Sequence, residues 1–272
     1  MRKLVLKLTG SSLIRKTVRF LRLHLLANWW LNHFPNVKVL AKSGVRYRAR
    51  RVESLALSVE MFDKESLYGL ADLSENMHTF ADLGCNVGYF SCWLVNSLND
   101  RQLKGLMVDA NKDCVEDAQW HITTNNMRNV HALFGLAGTN GGEGKATFFV
   151  HTAANMCSTT TPPDASVGDT NTWKKMEAPC LNIEEKWRTL IGDIPCDLLK
   201  LDIEGSEMDF IRNETKFLQR TKTIFIEWHK WQGVTLDEVK KLLSAQGFIL
   251  KRVLQEEDVA GTAVFTKNAT VG

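Results

Sequence analysis

From residue 79 onwards, short apolar runs alternate with segments whose apolar residues recur at helical spacing. The short runs predict strands because they are too brief for helices and are bounded by glycine, asparagine and aspartate. The predicted strands lie at 79–82, 105–109, 130–136, 145–150, 196–203, 223–228, 248–254 and 260–266. The periodic stretches between them predict helices, which makes this part an α/β domain with a mostly parallel sheet covered on both faces.

The chain before this domain follows a different pattern. A helix is predicted from Ser11 or Ser12 to about Phe34, with apolar residues at helical spacing, interleaved arginines and two tryptophans near the end. Residues 1–52 contain 13 lysines and arginines and no acid, whereas the remainder of the chain is net acidic. The pattern predicts a basic helical extension at residues 1–60, followed by the α/β domain at 61–272.

Three roles are open for the extension. Its apolar stripe can pack on the α/β domain while the arginines face water, which is the usual arrangement of an amphipathic helix. A basic helix with terminal tryptophans can instead lie on an anionic membrane, which would make residues 11–34 a peripheral membrane contact. The basic stretch could also grip RNA, but a nucleic-acid partner is the least expected because the rest of the chain is acidic.

Cysteine usage and hydropathy favour a cytoplasmic protein. The six cysteines are scattered without the paired spacing of a metal site, so reduced thiols are expected. No apolar run approaches the ~20 residues of a membrane span. The sequence predicts no metal site.

The most informative segment is DLGCNVGYF at residues 82–90, which follows the first predicted strand. Its glycines let backbone approach a ligand closely because they tolerate positive φ. Asp82 would place a carboxylate at the carboxyl end of the strand, where open α/β sheets bind ligands. The spacing is not the G-x-G-x-x-G of dinucleotide folds, and a phosphate cradle has no use for an acid. A cationic ligand with an amino group suits the segment better, and S-adenosylmethionine (SAM) is such a ligand.

The candidate cofactor site continues at the ends of the next two strands. Asp109 ends the second strand and can accept both hydroxyls of an adenosine ribose; a simple helix-start carboxylate is the alternative. The third strand ends near Leu136, where small and apolar residues can border an adenine. The full predicted cofactor-binding set is Asp82, Gly84, Cys85, Asn86, Gly88, Tyr89, Asp109, Ala110, Asn111 and Leu136.

The fourth and fifth strands end in charged residues that supply candidate chemistry. Lys200 and Asp202 project to the same face of a strand that should be buried, which is costly unless they are paired. A buried lysine paired with an acid favours a functional site over a structural ion pair. Glu227 is the expected partner of Lys200, and the candidate base is either Asp202 or His229, which titrates near neutrality.

Four segments resemble the FkbM-type family of SAM-dependent methyltransferases. They are DLGCNVGYFS at 82–91, NNMRNVHALFGLAG at 125–138, CDLLKLDIEGSEMDFIRN at 196–213 and IFIEWH at 224–229. The resemblance implies a Rossmann-like class I methyltransferase fold at 61–272, with a seven-stranded sheet whose last strand is antiparallel. It also implies O-methylation of sugar hydroxyls or related secondary alcohols. The family commonly has Glu-Pro after its second strand, where this chain has Asp-Ala at 109–110.

The predicted reaction is in-line methyl transfer from SAM to a hydroxyl of a small molecule or glycan, which leaves S-adenosylhomocysteine (SAH). Asp202 and Glu204 would lie near the transferring methyl group, and Lys200 would orient those acids or stabilise the alkoxide. The irregular loop at 151–172 would close over the acceptor. Two alternatives are an RNA methyltransferase that uses the basic extension, and a SAM-binding scaffold without activity.

Overall fold

The structure, a computed structural model, describes residues 23–62, 77–139, 142–151, 158–159 and 173–268. The helices are α1 (Leu23–His33), α2 (Val52–Phe62), α3 (Tyr89–Leu98), α4 (Lys112–Thr124), α5 (Ile183–Leu190), α6 (Glu207–Asn213), α7 (Thr215–Arg220) and α8 (Leu236–Ala245). The strands are β1 (Asn36–Val39), β2 (Arg46–Ala49), β3 (Thr79–Leu83), β4 (Lys104–Asp109), β5 (Val130–Phe134), β6 (Leu136–Ala137), β7 (Lys145–His151), β8 (Ser158–Thr159), β9 (Trp173–Leu181), β10 (Cys196–Leu201), β11 (Thr221–His229), β12 (Phe248–Glu256) and β13 (Ala260–Lys267).

Seven strands form the central sheet in the order β12–β13–β11–β10–β3–β4–β5. The five strands from β5 to β11 are parallel, and β13 runs antiparallel to both β11 and β12. Because the strand order reverses between β3 and β10, the carboxyl ends of the central strands open onto a crevice. The predicted α/β fold, with a seven-stranded sheet and an antiparallel final strand, is confirmed.

Both faces of the sheet are buried, as the near-continuous apolar strands predict. Leu199 of β10 packs in the core that contains Trp187 and Phe210, whereas its neighbour Leu198 points to the opposite core, with Phe90 of α3. Leu198, Leu199, Trp187 and Phe210 are 0% exposed, and Phe90 is 2% exposed. Burying each stabilises the fold by roughly 1.5–3 kcal/mol, and this two-sided core fixes where the strand ends lie.

A smaller sheet in the order β6–β9–β7–β8 follows β5. Strand β7 is the predicted extended piece at 145–150, and it pairs antiparallel with β9 over seven residue pairs. The predicted acceptor loop at 151–172 lies mostly outside the described residues.

The described part of the extension contains α1, the antiparallel hairpin β1–β2, and α2. The predicted helix at 11–34 is confirmed from residue 23 to residue 33, and residues 11–22 lie outside the described ranges. The hairpin was not predicted, because its strands have only four residues each, too few for the alternation of polar and apolar residues to stand out as a pattern. The boundary at residue 60 stays a prediction. Of the described residues, none belongs to a helix long and apolar enough to cross a membrane.

The helical stretch between β10 and β11 consists of two helices, α6 and α7, which meet at Glu214. This residue ends α6 and caps α7 with φ −96° and ψ 40°. Its buried carboxylate accepts a hydrogen bond from Ile183 N at 3.0 Å. The helical periodicity continues across the break, so the sequence pattern alone could not locate it.

Candidate active site

The turn after β3 is fixed by backbone hydrogen bonds. The N–H groups of Gly84 and Cys85 both donate to Val108 O, at 2.9 and 3.0 Å. Gly84, Asn86 and Gly88 have φ of 75°, 49° and 84°. This left-handed region is open to glycine and is tolerated better by asparagine than by most residues. The predicted glycine turn therefore forms at the carboxyl end of β3.

Asp109 ties this turn to the start of α4. Its Oδ2 accepts from Asn86 N at 2.8 Å and its Oδ1 accepts from Asn111 N at 2.7 Å. Asn111 in turn caps α4 by accepting from Asp113 N. Burial raises the pKa of Asp109 to about 6, against the lowering effect of these two backbone donors. The structure thus brings together the predicted glycine turn, acid and helix start, which we call the cofactor side (residues 82–89 and 109–111).

Asp82 does not reach the crevice. Its side chain is 0% exposed, and its Oδ2 accepts from Ser91 Oγ at 2.9 Å. Its Oδ1 lies 3.6 Å from Lys200 Nζ. Burial raises the pKa of Asp82, although Lys200 and Ser91 oppose this shift. The geometry does not offer Asp82 to an amino group of a ligand directly, because β3 points it into the layer between the sheet and α3.

The remaining predicted cofactor positions fall into two groups. Ala110 and Leu136 pack in one small apolar cluster beside the cofactor side, where they can border a flat ring. Cys85 and Tyr89 are buried, at 3% and 1% exposed. The Tyr89 hydroxyl donates to Arg48 O at 2.7 Å, so its polar end binds the extension.

Lys200 connects the cofactor side to the loop after β10. Its Nζ donates to Gly84 O at 3.1 Å and to Asp202 Oδ2 at 3.0 Å. Its side chain is 8% exposed. A Cβ on Gly84 would lie 1.6 Å from Asp202 O, so the two loops touch only because residue 84 is glycine. Lys200 is buried and paired with acids, as expected, but the ion pairs join it to Asp202 and Asp82. The expected partner, Glu227, instead lies 3.7 Å from His229 Nε2.

Glu207, which was not among the predicted site residues, organises the loop after β10. Its carboxylate is 1% exposed and accepts from Ile203 N and from Gly205 N, at 3.0–3.1 Å. It also bonds His229 Nδ1 at 3.0 Å. One buried carboxylate therefore fixes both the loop and the histidine. Glu207 is the second glutamate of the segment E-G-S-E at 204–207, which was the signal available in the sequence. An acid at the start of a helix is also an ordinary helix-terminal residue.

His229 lies among acids at the end of β11. Its Nε2 is 3.3 Å from Glu204 Oε2 and 3.7 Å from Glu227 Oε1. Burial alone would lower the pKa of His229, but Glu207, Asp202 and Glu204 together raise it to about 9. His229 is therefore an imidazolium at neutral pH, which does not suit the predicted role of a base.

Glu204 and Glu227 are half-buried acids that titrate near neutrality. Burial, and then Asp202, raise the pKa of Glu204 to about 7. Asp202, and then burial, raise the pKa of Glu227 to about 8. Glu204 also has a left-handed φ of 52°, a conformation that costs a non-glycine residue about 1–3 kcal/mol. We call residues 200–207 and 227–229 the acceptor side.

Within the described residues, Asp202, Glu207 and His229 have ligand atoms within 4.8 Å of one another, a spacing that suits a divalent cation. His229, however, uses Nδ1 for Glu207 and faces Glu204 with Nε2. A metal would have to break at least one of these pairs. The sequence expectation of no metal stays a prediction.

The extension contacts the cofactor side, which the sequence did not indicate. His121 of α4 is 1% exposed and bridges the two, because its Nδ1 bonds Val87 O at 2.8 Å and its Nε2 accepts from Arg48 N at 2.9 Å. Burial lowers the pKa of His121 to about 4, so it is neutral and Nδ1 is the donor. Arg51 pairs with Asp113 at the start of α4. The hairpin and α2 therefore brace the glycine turn from outside.

Comparison with known proteins identifies the family. A family model described as the methyltransferase FkbM domain matches residues 82–250, more than half of the chain. A search of curated proteins gave no match.

Three solved structures are similar to this chain at low sequence identity. Fibrillarin, a pre-rRNA processing protein of Methanococcus jannaschii, is 10% identical with a TM-score of 0.48 over 87% of this chain and 84% of its own. Methyltransferase FkbM of Methylobacillus flagellatus KT is 15% identical with a TM-score of 0.44 over 70% of this chain and 43% of its own. TrmK of M. capricolum, in complex with SAH, is 10% identical with a TM-score of 0.41 over 74% and 70%. The chain thus spans less than half of the Methylobacillus protein.

Proposed function

The chain belongs to the FkbM methyltransferase family and is a SAM-dependent methyltransferase, and we propose that it methylates a hydroxyl of a sugar, a glycan or a related secondary alcohol. The observation that carries the proposal is the acceptor side, where Glu204 and Glu227 titrate at about 7 and about 8 beside the cofactor side. A hydroxyl must lose its proton as it accepts a methyl group, and an acid that titrates near neutrality suits that task.

The cofactor side fits SAM. Asp109 is positioned for the ribose hydroxyls, since each of its oxygens accepts one backbone hydrogen bond and retains a further lone pair. The backbone at 84–88 would border the methionine end, and Ala110 and Leu136 the adenine. SAM supplies an electrophilic methyl group on a positively charged sulfur. The acid-rich acceptor side suits that charge, because an added cation would let Glu204 and Glu227 ionise.

We assign proton removal to Glu227 or Glu204 rather than to His229. His229 carries a proton at neutral pH because of Glu207 and the acids around it. Its positive charge keeps Glu204 close and lowers the cost of ionising either acid. His229 and Glu207 are then positioning residues, and a carboxylate receives the proton.

Lys200 and Asp202 complete the proposed site. Lys200 Nζ lies near the buried carboxylate of Asp82 and donates hydrogen bonds to Gly84 O and to Asp202 Oδ2. That arrangement fixes the loop beside the cofactor side. A fixed ammonium at this point would also stabilise a developing alkoxide.

An acid-rich acceptor side argues against RNA as the acceptor, because carboxylates repel a phosphate backbone. The experiment is incubation of the full chain with methyl-labelled SAM and separate pools of glycans, secondary alcohols and RNA. We expect the label in the glycan pool or in the alcohol pool. The labelled product should be stable to mild acid, because a methylated hydroxyl is an ether. Label in RNA alone would overturn the proposed acceptor.

Matched variants make this test specific. Either Glu227→Gln or Glu204→Gln, whichever removes the base, should lower turnover about 10²–10⁴-fold, the usual contribution of a general base. Glu256→Gln alters an exposed acid that pairs with Lys230 and should leave turnover unchanged. Full turnover in both Glu227→Gln and Glu204→Gln would remove the carboxylate base from the proposal.

A further inference from the structure

The described part of the extension presents an apolar face to solvent. Among the described residues, twelve large apolar side chains are exposed, and seven of these fall between residues 25 and 39. They are Leu25, Leu26, Trp29, Trp30, Phe34, Val37 and Val39. Isolated exposed apolar residues are common, but a cluster of this density marks an interaction surface. We call these seven residues the apolar face.

The face is built into the packing of α1. The helix turns Asn28 inward, and Asn28 Oδ1 accepts from Val52 N at 2.8 Å at the start of α2. Trp29 and Trp30, one and two positions on, are each 58% exposed. Their rings stack along the outside, Trp29 on His33 at 4.5 Å and Trp30 on Phe34 at 4.7 Å between centroids. The polar contact thus fixes the helix with its aromatic side outward.

In the described part of the predicted helix, Leu25 and Leu26 are 51% and 66% exposed, so these side chains do not pack on the α/β domain as the usual arrangement would require. Strand β1 also has its apolar side chains on the outside. Val37 and Val39 face solvent, while Lys38 between them is half-buried. Apolar side chains on the outside of both elements need an apolar partner that is not the domain itself.

We infer that this face binds the surface of an anionic lipid bilayer. The charge of the chain selects this partner: residues 1–52 carry 13 lysines and arginines and no acid. Seven of these bases lie in residues 1–22, directly before α1. Tryptophans at the headgroup level, with basic residues beside them, are the combination that holds a helix in the plane of an anionic membrane.

Two other partners fit less well. A second copy of the chain would bring two acid-free basic segments together, and like charges across a two-fold interface repel. Nucleic acid would be held by the bases, but α1 itself has no lysine or arginine, and four of the six exposed side chains in residues 25–33 are leucine or tryptophan. Three bases that follow, Arg48, Arg50 and Arg51, are already paired with acids of α4.

The test is flotation of the full chain with vesicles of phosphatidylcholine alone and of phosphatidylcholine with phosphatidylglycerol. We expect binding to the anionic vesicles that is about tenfold or more tighter than to the neutral ones and that weakens with added salt. The double variant Trp29→Ser/Trp30→Ser should bind the anionic vesicles about tenfold or more weakly. Its SAM affinity should match the unaltered chain, which shows that the variant is folded.

The matched control is Ile249→Ser/Val259→Ser, which removes two exposed apolar side chains, 51% and 60% exposed, on and beside β12. This variant should bind vesicles as the unaltered chain does. Absence of binding to anionic vesicles by the unaltered chain would overturn the inference, as would undiminished binding by the tryptophan variant. A dimer that the tryptophan substitutions dissociate, without vesicle binding, would assign the face to a second copy instead.

Discussion

The two sides of the site hold their charged groups in opposite ways. On the cofactor side, Asp109 is held by two backbone N–H groups, whose positions do not change with pH. On the acceptor side, Glu207 fixes His229, which lies 3.3 Å from Glu204 and 3.7 Å from Glu227, so the charge of each of these groups depends on the protonation of the others. The first side is organised before any ligand arrives, whereas the second changes its charge with pH and with a bound cation.

This difference assigns different tasks to the two sides. A rigid cradle with fixed donors suits recognition of a cofactor that is the same in every turnover. A group of acids that titrate near neutrality suits removal of a proton. Lys200 and Gly84 are the places where the two sides meet, so substitutions there test this comparison, and the expected effects are ordered within that set.

The largest effect is expected for Lys200→Met. The substitution leaves Asp82 without its cation and frees the loop that carries Asp202. Turnover should fall about 10²–10³-fold, as for the loss of one fixed electrostatic donor. Lys222→Met is the control, because Lys222 is 60% exposed and pairs with Asp197 at the start of β10. Equal turnover of the two variants in the labelled-SAM assay would remove Lys200 from the site.

The contact between the sides is tested by comparing Gly84→Ala with Gly144→Ala. Both glycines have left-handed φ, 75° and 69°, so both variants bear the cost of that conformation, about 1–2 kcal/mol. Only at Gly84 does the new Cβ meet backbone, 1.6 Å from Asp202 O; at Gly144 nothing lies within 4 Å. Denaturant unfolding should show Gly84→Ala to be less stable by a further ~2 kcal/mol or more. Equal stabilities would show that the two loops do not touch.

A smaller and more selective effect is expected for Asp109→Ala. The variant loses the acceptor for Asn86 N and Asn111 N as well as the proposed ribose contact. SAM and SAH should both bind about 10–100-fold more weakly, since one to two charge-assisted hydrogen bonds are lost. Isothermal titration calorimetry measures both affinities. Unchanged affinities would place the ribose elsewhere.

Much of the fold was predictable from the sequence because buried parallel strands are apolar and end in recognisable turns. The strand that ends at Asp109 ends as predicted, whereas the strand predicted at 196–203 ends at Leu201. The hairpin β1–β2 was missed, since two polar–apolar repeats in a strand of four residues are too few to stand out as a period. The partner predicted for Lys200 was Glu227 on the next strand, but the structure pairs Lys200 with Asp202, two residues along its own chain segment.

The charge states of the site were beyond prediction from spacing. His229 looked like a base because its ordinary pKa is near neutrality, but its partner Glu207 is 22 residues away and only folding places it 3.0 Å from Nδ1. Asp82 looked accessible because it ends a strand, yet α3 supplies Ser91 to cover it. Such pairings depend on which elements pack together, and no local pattern encodes that.

The central claim is that SAM binds on the cofactor side with its charged sulfur beside the acids of the acceptor side. The most direct measurement is the ratio of SAM to SAH affinity as a function of pH, because SAH lacks the positive charge but keeps the rest of the molecule. A cation favours ionised acids, so it lowers the pKa of Glu204, about 7, and of Glu227, about 8. Below these pKa values, the protein must release protons in order to bind SAM, which weakens SAM binding. The ratio of SAM to SAH affinity should therefore rise about tenfold as the pH increases through these values. Glu227→Gln should flatten that rise. A ratio that does not change with pH would contradict the claim.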